Sequence, residues 1–187
     1  MQSHSQQNSA NFLTASYHET PLGGMIALSN ANHLYLLKFI DQNNLEKSIK
    51  QLEQTIHATI IDGTTNISST LQNELTAYFN GTLENFSIPV LLQGTPFQQK
   101  SWQALTEISY GCSSNYKTQA IVVGNPKAYR AVANANKNNP IAIIIPCHRI
   151  IKSNGDLCGY NGGIHRKQAF LEVEKNRLFH KNLALAK

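Results

Sequence analysis

At Gln93 the chain changes character, so its fold has to join two unlike halves. Before that point, apolar segments are separated by turn residues. Tyr17 to Thr20 and Met25 to Leu28 flank Pro21-Leu22-Gly23-Gly24 as the arms of a hairpin would, and His33 to Ile40 reads as a third strand. Leu45, Ile49, Leu52 and Ile56 then recur at helical spacing, and Ala58 to Ile61 has the pattern of a further strand. Leu71, Leu75 and Phe79 mark a second helix ended by Gly81. Strands mixed with helices predict a small α/β or α+β domain over residues 1–92, with a frayed polar opening. This half gathers no nucleophile, ligand set or phosphate loop, so its expected role is scaffolding.

After Phe86 to Leu92, which is extended in pattern and interrupted by Pro89, helices take over. Thr95 is placed to cap a helix with Pro96 at its first position, and Trp102, Leu105 and Ile108 form its apolar stripe before Gly111. A short helix over Tyr116 to Val123 stops at Gly124. Asn125-Pro126 repeats the cap-and-proline start and opens a helix running to about Lys137, with Lys127, Arg130 and Lys137 in it. Short helix, glycine turn, basic helix is the outline of a helix-turn-helix, although many helix pairs share it without touching DNA. Ala128, Ala131, Ala133 and Ala135 allow close approach, either to a partner or to neighbouring helices. Residues 93–187 are thus a mostly α-helical C-terminal domain.

Charge divides at the same place. The formal net charge of +5 arises from three Lys/Arg against seven Asp/Glu in residues 1–92 and thirteen against four in 93–187. A surplus confined to one half marks a face for a polyanion more often than a merely solvated surface does. Cys112, Cys147 and Cys158 are odd in number and lack close pairing, which excludes a disulfide framework and a cysteine-rich zinc site. The seven histidines are scattered. No metal and no cofactor is expected. No run approaches the roughly 20 apolar residues of a membrane span, and the opening lacks a secretion pattern, so a soluble, intracellular protein is expected.

Ile141 to Ile145 is an apolar run ending at Pro146, consistent with a buried strand that delivers Cys147 to its end. A cysteine in such a place is often a small buried hydrophobe. Its neighbours His148 and Arg149 are the kind of groups that favour thiolate, but adjacent side chains of an extended segment face opposite ways, so a turn or a bridging water is needed. Lys152 to Asp156 signals a tight turn. Gly159-Tyr160-Asn161-Gly162-Gly163 follows, a glycine-rich loop able to wall a pocket for a flat ring, and then a helix bearing Phe170, Leu171 and Glu174.

At this point the chain resembles the O6-alkylguanine-DNA alkyltransferase family. The resemblance is carried by Pro146-Cys147-His148-Arg149, by Asn139-Pro140, and by Gly124-Asn125-Pro126-Lys127-Ala128 with Arg130-Ala131-Val132. Gly159-Tyr160, Gly162-Gly163, Lys167 and Glu174 extend it, and Thr20-Pro21-Leu22-Gly23 matches more loosely. It implies a ribonuclease H-like α/β N-terminal domain and a C-terminal domain with a winged helix-turn-helix. It implies that Cys147 accepts the alkyl group in a single turnover, that His148 removes its proton through a water, and that Glu174 fixes the His148 tautomer. Asn139 corresponds to the hinge between recognition helix and active-site segment. Arg130 corresponds to a finger inserted where the target nucleotide has left, Tyr116 to the residue crowding the target phosphate, and Tyr160 with Asn161 to the loop closing over the extruded base. Arg149 is grouped with the DNA-contacting residues.

The implied substrate is double-stranded DNA carrying O6-alkylguanine and, less well, O4-alkylthymine, bound through the minor groove. The base must leave the stack, because its alkyl carbon is out of reach inside a duplex. A monomer with no obligate protein partner, in the cytoplasm or a eukaryotic nucleus, is the accompanying expectation. Asn161 and Cys158 depart from the residues usual in the family, and the stretch Gly111 to Asn115 leaves the cap of the Tyr116 helix open. Three rivals remain at this stage. A lesion sensor similar to the alkyltransferase-like proteins would lack the acceptor thiol, a thiol hydrolase would leave Arg130 and Tyr116 unused, and a transcription factor would leave Cys147 idle.

Overall fold

The computed structural model describes residues 11–157 and 159–185, with only the helical backbone from residue 177 onward. Residues 1–10 and Cys158, on which two of the expectations fall, lie outside the described residues. The first strand, β1 (Asn11–His18), turns through Pro21 to Gly24 into β2 (Met25–Ser29), and β3 (Leu34–Phe39) follows. Next come α1 (Leu45–Ile56), β4 (Ala58–Asp62) and α2 (Asn66–Phe79). The four strands form one mixed sheet in the order β3-β2-β1-β4. β1 and β2 pair antiparallel with Tyr17 opposite Ile26, β2 and β3 antiparallel with Ala27 opposite Leu37, and β4 lies parallel to β1.

Both faces of this sheet are covered, which is why β2 and β3 are buried at every position rather than alternately. Leu13, Ile26, Leu28 and Leu36 pack under Leu45, Ile49 and Leu52 of α1. On the other face Met25, Ala27, Leu37 and Phe39 meet Leu71, Leu75 and Tyr78 of α2. That second cluster continues without a break into Trp102, Leu105, Ile141, Ile145 and Phe170. The core therefore crosses the boundary expected at residue 92.

The second half consists of α3 (Pro96–Thr106), the two-residue strand β5 (Ser114–Asn115), α4 (Tyr116–Val122), α5 (Tyr129–Lys137), β6 (Ile150–Ile151) and α6 (Ile164–Leu185). Thr95 caps α3 as its sequence predicts, with Gln98 completing a capping box. Asn115 fills the cap left open for α4, its side chain accepting from the amides of Lys117 and Thr118 at 3.0 and 3.1 Å. Ala104, Ala120, Val123 and Val132 form a small core joining α3, α4 and α5.

Phe86 to Leu92 makes one strand-like bridge, Val90 to Leu34, beside Pro89, which has no amide to donate. Two expectations are corrected. The basic helix starts at Tyr129, because Ala128 closes a turn by donating to the Asn125 carbonyl at 2.9 Å; Lys127 therefore sits in the turn. Ile141 to Ile145 is not a strand. Ile141 makes one parallel bridge to Leu37, and the chain then turns through Ile143, whose φ of 70° is in the left-handed region. Among the described residues no helix is long and apolar enough to cross a membrane.

Candidate active site

The turn at Ile143 aims Cys147 into a one-turn 3-10 helix, Cys147–Arg149. A β-branched residue at positive φ carries a cost of about 1–2 kcal/mol, offset here by burial of the isoleucine side chains in the core. Asn139, two residues past the end of α5, organises this turn. Its Nδ2 donates to the Ile145 carbonyl at 2.7 Å and to Cys147 Sγ at 3.2 Å, and its Oδ1 accepts from the Ile141 amide at 3.0 Å. Burial pushes the Cys147 thiol up, while the Asn139 bond and the positive charges of Lys167 and Lys38 oppose that shift.

At three residues per turn, the short helix points the side chains of Cys147 and His148 about 120° apart rather than to opposite faces. His148 is fully buried, and its Nε2 lies 2.8 Å from Glu174 Oε1. Its Nδ1 is buried with no hydrogen-bond partner among the described residues. Glu174 is itself fully buried and accepts from three further groups: the Tyr78 hydroxyl at 3.0 Å, the Gly111 amide at 3.0 Å and Arg149 Nε at 3.0 Å. Burial alone would raise its carboxyl, but His148 and Arg149 outweigh that and hold it at about 2. An ionised carboxylate needs a donor, so the proton of neutral His148 sits on Nε2 and the lone pair on Nδ1. Burial also pulls the His148 pKa below 6.5, which keeps the imidazole neutral near pH 7.

Cys147 opens onto a cleft of about 390 Å³. One wall is Tyr116 from α4 with Ala133, Asn136 and Lys137 from α5; the other is the loop Gly159, Tyr160 and Asn161. The structure thus brings Cys147, His148, Glu174 and Asn139 together and sets Tyr116, Tyr160 and Asn161 around the thiol. Arg130 is placed elsewhere on α5, exposed, with its Cζ 5.6 Å from the Tyr129 ring centre. Arg149, expected among the DNA-contacting residues, is corrected: it is 8% exposed. Its guanidinium is spent on Glu174 and on the Ile108 carbonyl at 2.6 Å.

Several contributors escape a reading of the sequence. Tyr78 comes from the half expected to act only as scaffold, and nothing local distinguishes it from a core tyrosine. Gln119 and Asn136 exchange two amide hydrogen bonds, at 3.0 and 2.7 Å, across the buried contact of α4 and α5. The Trp102 indole donates to the Ala135 carbonyl at 2.8 Å. Lys38 is 2% exposed, donates to Ser48 Oγ, and is lowered by burial to about 8. Lys167, quoted above for the resemblance, is also buried and donates to the Ile150 carbonyl.

Comparison with known proteins gives a consistent picture. Residues 96–176 match the family described as 6-O-methylguanine DNA methyltransferase, DNA binding domain. The methylated-DNA–protein-cysteine methyltransferase of Methanosarcina barkeri is 42% identical over 160 residues, covering 86% of this chain and 96% of that protein. The constitutive methylated-DNA–protein-cysteine methyltransferase of Bacillus subtilis is 42% identical over 153 residues, covering 82% and 89%. A crystal structure of Mycobacterium tuberculosis OGT in complex with DNA superposes with a TM-score of 0.74 at 38% identity, covering 89% of this chain and 94% of that one.

Proposed function

The chain belongs to the methylated-DNA–protein-cysteine methyltransferases, and from that footing we propose that it repairs DNA by moving an alkyl group from O6 of a damaged guanine onto its own Cys147. The observation that carries this reading is the arrangement around the thiol. Asn139 holds Sγ at the cleft, and beside it stands a neutral histidine whose Nε2–H is engaged by an ionised carboxylate.

The chemistry is an in-line displacement. His148 Nδ1 takes the thiol proton through a bridging water, the sulfur pair attacks the alkyl carbon, and the carbon–O6 bond breaks with its electrons returning to the base. The guanine anion takes up a proton, in net the one Cys147 gave up to His148, and leaves as guanine, and the S–C bond remains. A thioether is a poor leaving group, so each molecule acts once. Low dielectric around the site strengthens the Glu174 to His148 coupling and stabilises the imidazolium that forms.

Reaching the alkyl carbon requires the nucleotide to rotate out of the duplex, at a cost of a few kcal/mol. Arg130, exposed on α5, is suited to enter the space the base leaves, and Tyr116, on the cleft wall, to crowd the target phosphate. Tyr160 and Asn161 then close over the base. The small exposed Ala131 beside Arg130 supports close approach of α5 to a minor groove, and O4-alkylthymine is the expected secondary substrate. The pairing of α4 with α5, and the sheet order with β4 parallel to β1, support the winged helix-turn-helix and ribonuclease H-like readings.

The test is intact-protein mass after mixing with a duplex containing one O6-methylguanine. The wild-type chain should gain one methyl group at Cys147, and Cys147→Ala should gain none and leave the lesion in place. Repair by Cys147→Ala, or turnover beyond one lesion per molecule, overturns the reading.

A further inference from the structure

We infer that Asn44 is a specificity-determining residue: it tethers the loop that forms one wall of the Cys147 cleft and so sets the size of adduct the cleft admits. This rests on the alkyl-transfer reading above and adds to it a role for the first half of the chain.

The segment between β3 and α1 faces the loop at both of its ends. Asp41 takes Arg166 in a two-pronged pair, with Nη1 at 2.8 Å and Nη2 at 2.7 Å. The same guanidinium donates to the Gly162 carbonyl at 2.9 Å, and its Cζ stacks 3.9 Å from the centre of the Phe39 ring. This fixes the C-terminal end of the loop. The end that lines the cleft is held differently. Asn161 Nδ2 lies 3.1 Å from Asn44 Oδ1, across 117 residues of chain.

Asn44 stands at the N-cap of α1, where an asparagine side chain usually accepts from the helix amides. Here it makes no cap bond, and its backbone is in neither the extended nor the helical region. The side chain has been diverted from its local partner to a distant one. Behind it, Ser48 Oγ donates to the Asn44 carbonyl at 2.9 Å and receives Lys38 Nζ at 2.8 Å, so the tether is anchored on a buried side chain of β3. On the loop side, a side chain at Gly162 would come within 2.7 Å of Tyr160 Cε1 and 3.1 Å of Gln42 Nε2, so the backbone already lies against this segment. A side chain at Gly159, by contrast, would meet nothing within 4 Å among the described residues. The loop has open space beside Gly159 and is held at Asn161, and outward movement at Asn161 by a bulky adduct has to break the Asn44 bond.

A single exposed hydrogen bond is worth about a fivefold change in an equilibrium. Single-turnover transfer from duplexes carrying O6-methylguanine or O6-benzylguanine, followed by intact mass, reads that change. Asn44→Ala loses no cap bond, so it should fold as the wild type does and keep its methyl rate. Its benzyl-to-methyl rate ratio should rise about fivefold. Asn161→Ala should raise the ratio as well, and adding Asn44→Ala to it should raise it no further. Backbone amide exchange over residues 159–163 should quicken in Asn44→Ala. An unchanged ratio in Asn44→Ala, or two substitutions that multiply, overturns the tether while leaving alkyl transfer standing. No alkyl uptake by the wild type overturns both.

Discussion

Glu174 accepts hydrogen bonds from His148, Arg149, Gly111 and Tyr78, and only the first two are neighbours in the chain. Each bond keeps the carboxylate ionised and oriented, and the carboxylate in turn fixes the histidine. Tyr78→Phe removes one donor and leaves the ring packing intact, so it should lower stability by about 1.5–3 kcal/mol, the range for hydrogen bonds to a charged group. Single-turnover transfer should slow, with DNA affinity unchanged; normal transfer in Tyr78→Phe would detach this residue from the site. The pH profile belongs to the same scale. Burial holds the His148 pKa below 6.5, so on the proposed mechanism the rate should fall in acid with a midpoint below 6.5, as the imidazole takes up a proton from solvent and can no longer accept one from Cys147. Stopped-flow quench across that range reads the midpoint, and a midpoint above 6.5 would remove His148 as the base.

At the scale of elements, α5 divides its labour by face. Ala135 and Asn136 turn inward to Trp102 and Gln119, and Arg130 with Ala131 turns outward. Arg130→Ala should therefore leave folding alone and weaken nonspecific duplex binding by no more than one phosphate contact would, while slowing lesion repair by a larger factor. Equal losses in binding and repair, measured by titration and single-turnover transfer, would count against a finger. Much of this level was legible in the sequence. Thr95-Pro96 capped its helix, Leu45 to Ile56 bounded α1, and Leu71, Leu75 and Phe79 lay on α2, because caps and periodicity act within one element. The Ile141 to Ile145 run misled, since a buried turn and a buried strand demand the same apolar residues and differ only in a backbone angle at Ile143. The grouping of Cys147 with Asn139, His148 and Glu174 was recognisable from motifs. The Tyr78 and Asn44 contacts were not, because each joins residues roughly a hundred positions apart and neither pattern nor spacing marks them. Arg149 was misassigned for a related reason: a cation beside DNA and a cation beside a buried carboxylate look alike until the carboxylate is located.

For the molecule as a whole, the buried ionisable groups govern its tolerance of acid. Both His148 and Glu174 have pKa values lowered by folding, so in each case the unfolded chain binds protons more readily. Stability from His148 is fully present above pH 6.5 and is lost as pH falls through its folded value. Stability from Glu174 is fully present above its ordinary 4.5 and drains away as pH falls towards 2, amounting to about 3 kcal/mol over that interval. Tm measured against pH should therefore start to drop below 6.5 and fall more steeply below 4.5, and Glu174→Gln should flatten the lower step.

The apolar core that runs from Phe39 and Tyr78 through to Leu105 and Phe170 passes either side of residue 92 without interruption. Cutting the backbone there would leave each fragment with a greasy, matching wound. Two separately produced pieces, 1–92 and 93–187, should each lack alkyl transfer and regain it when mixed, in the way of a split reporter whose parts carry their own adhesive.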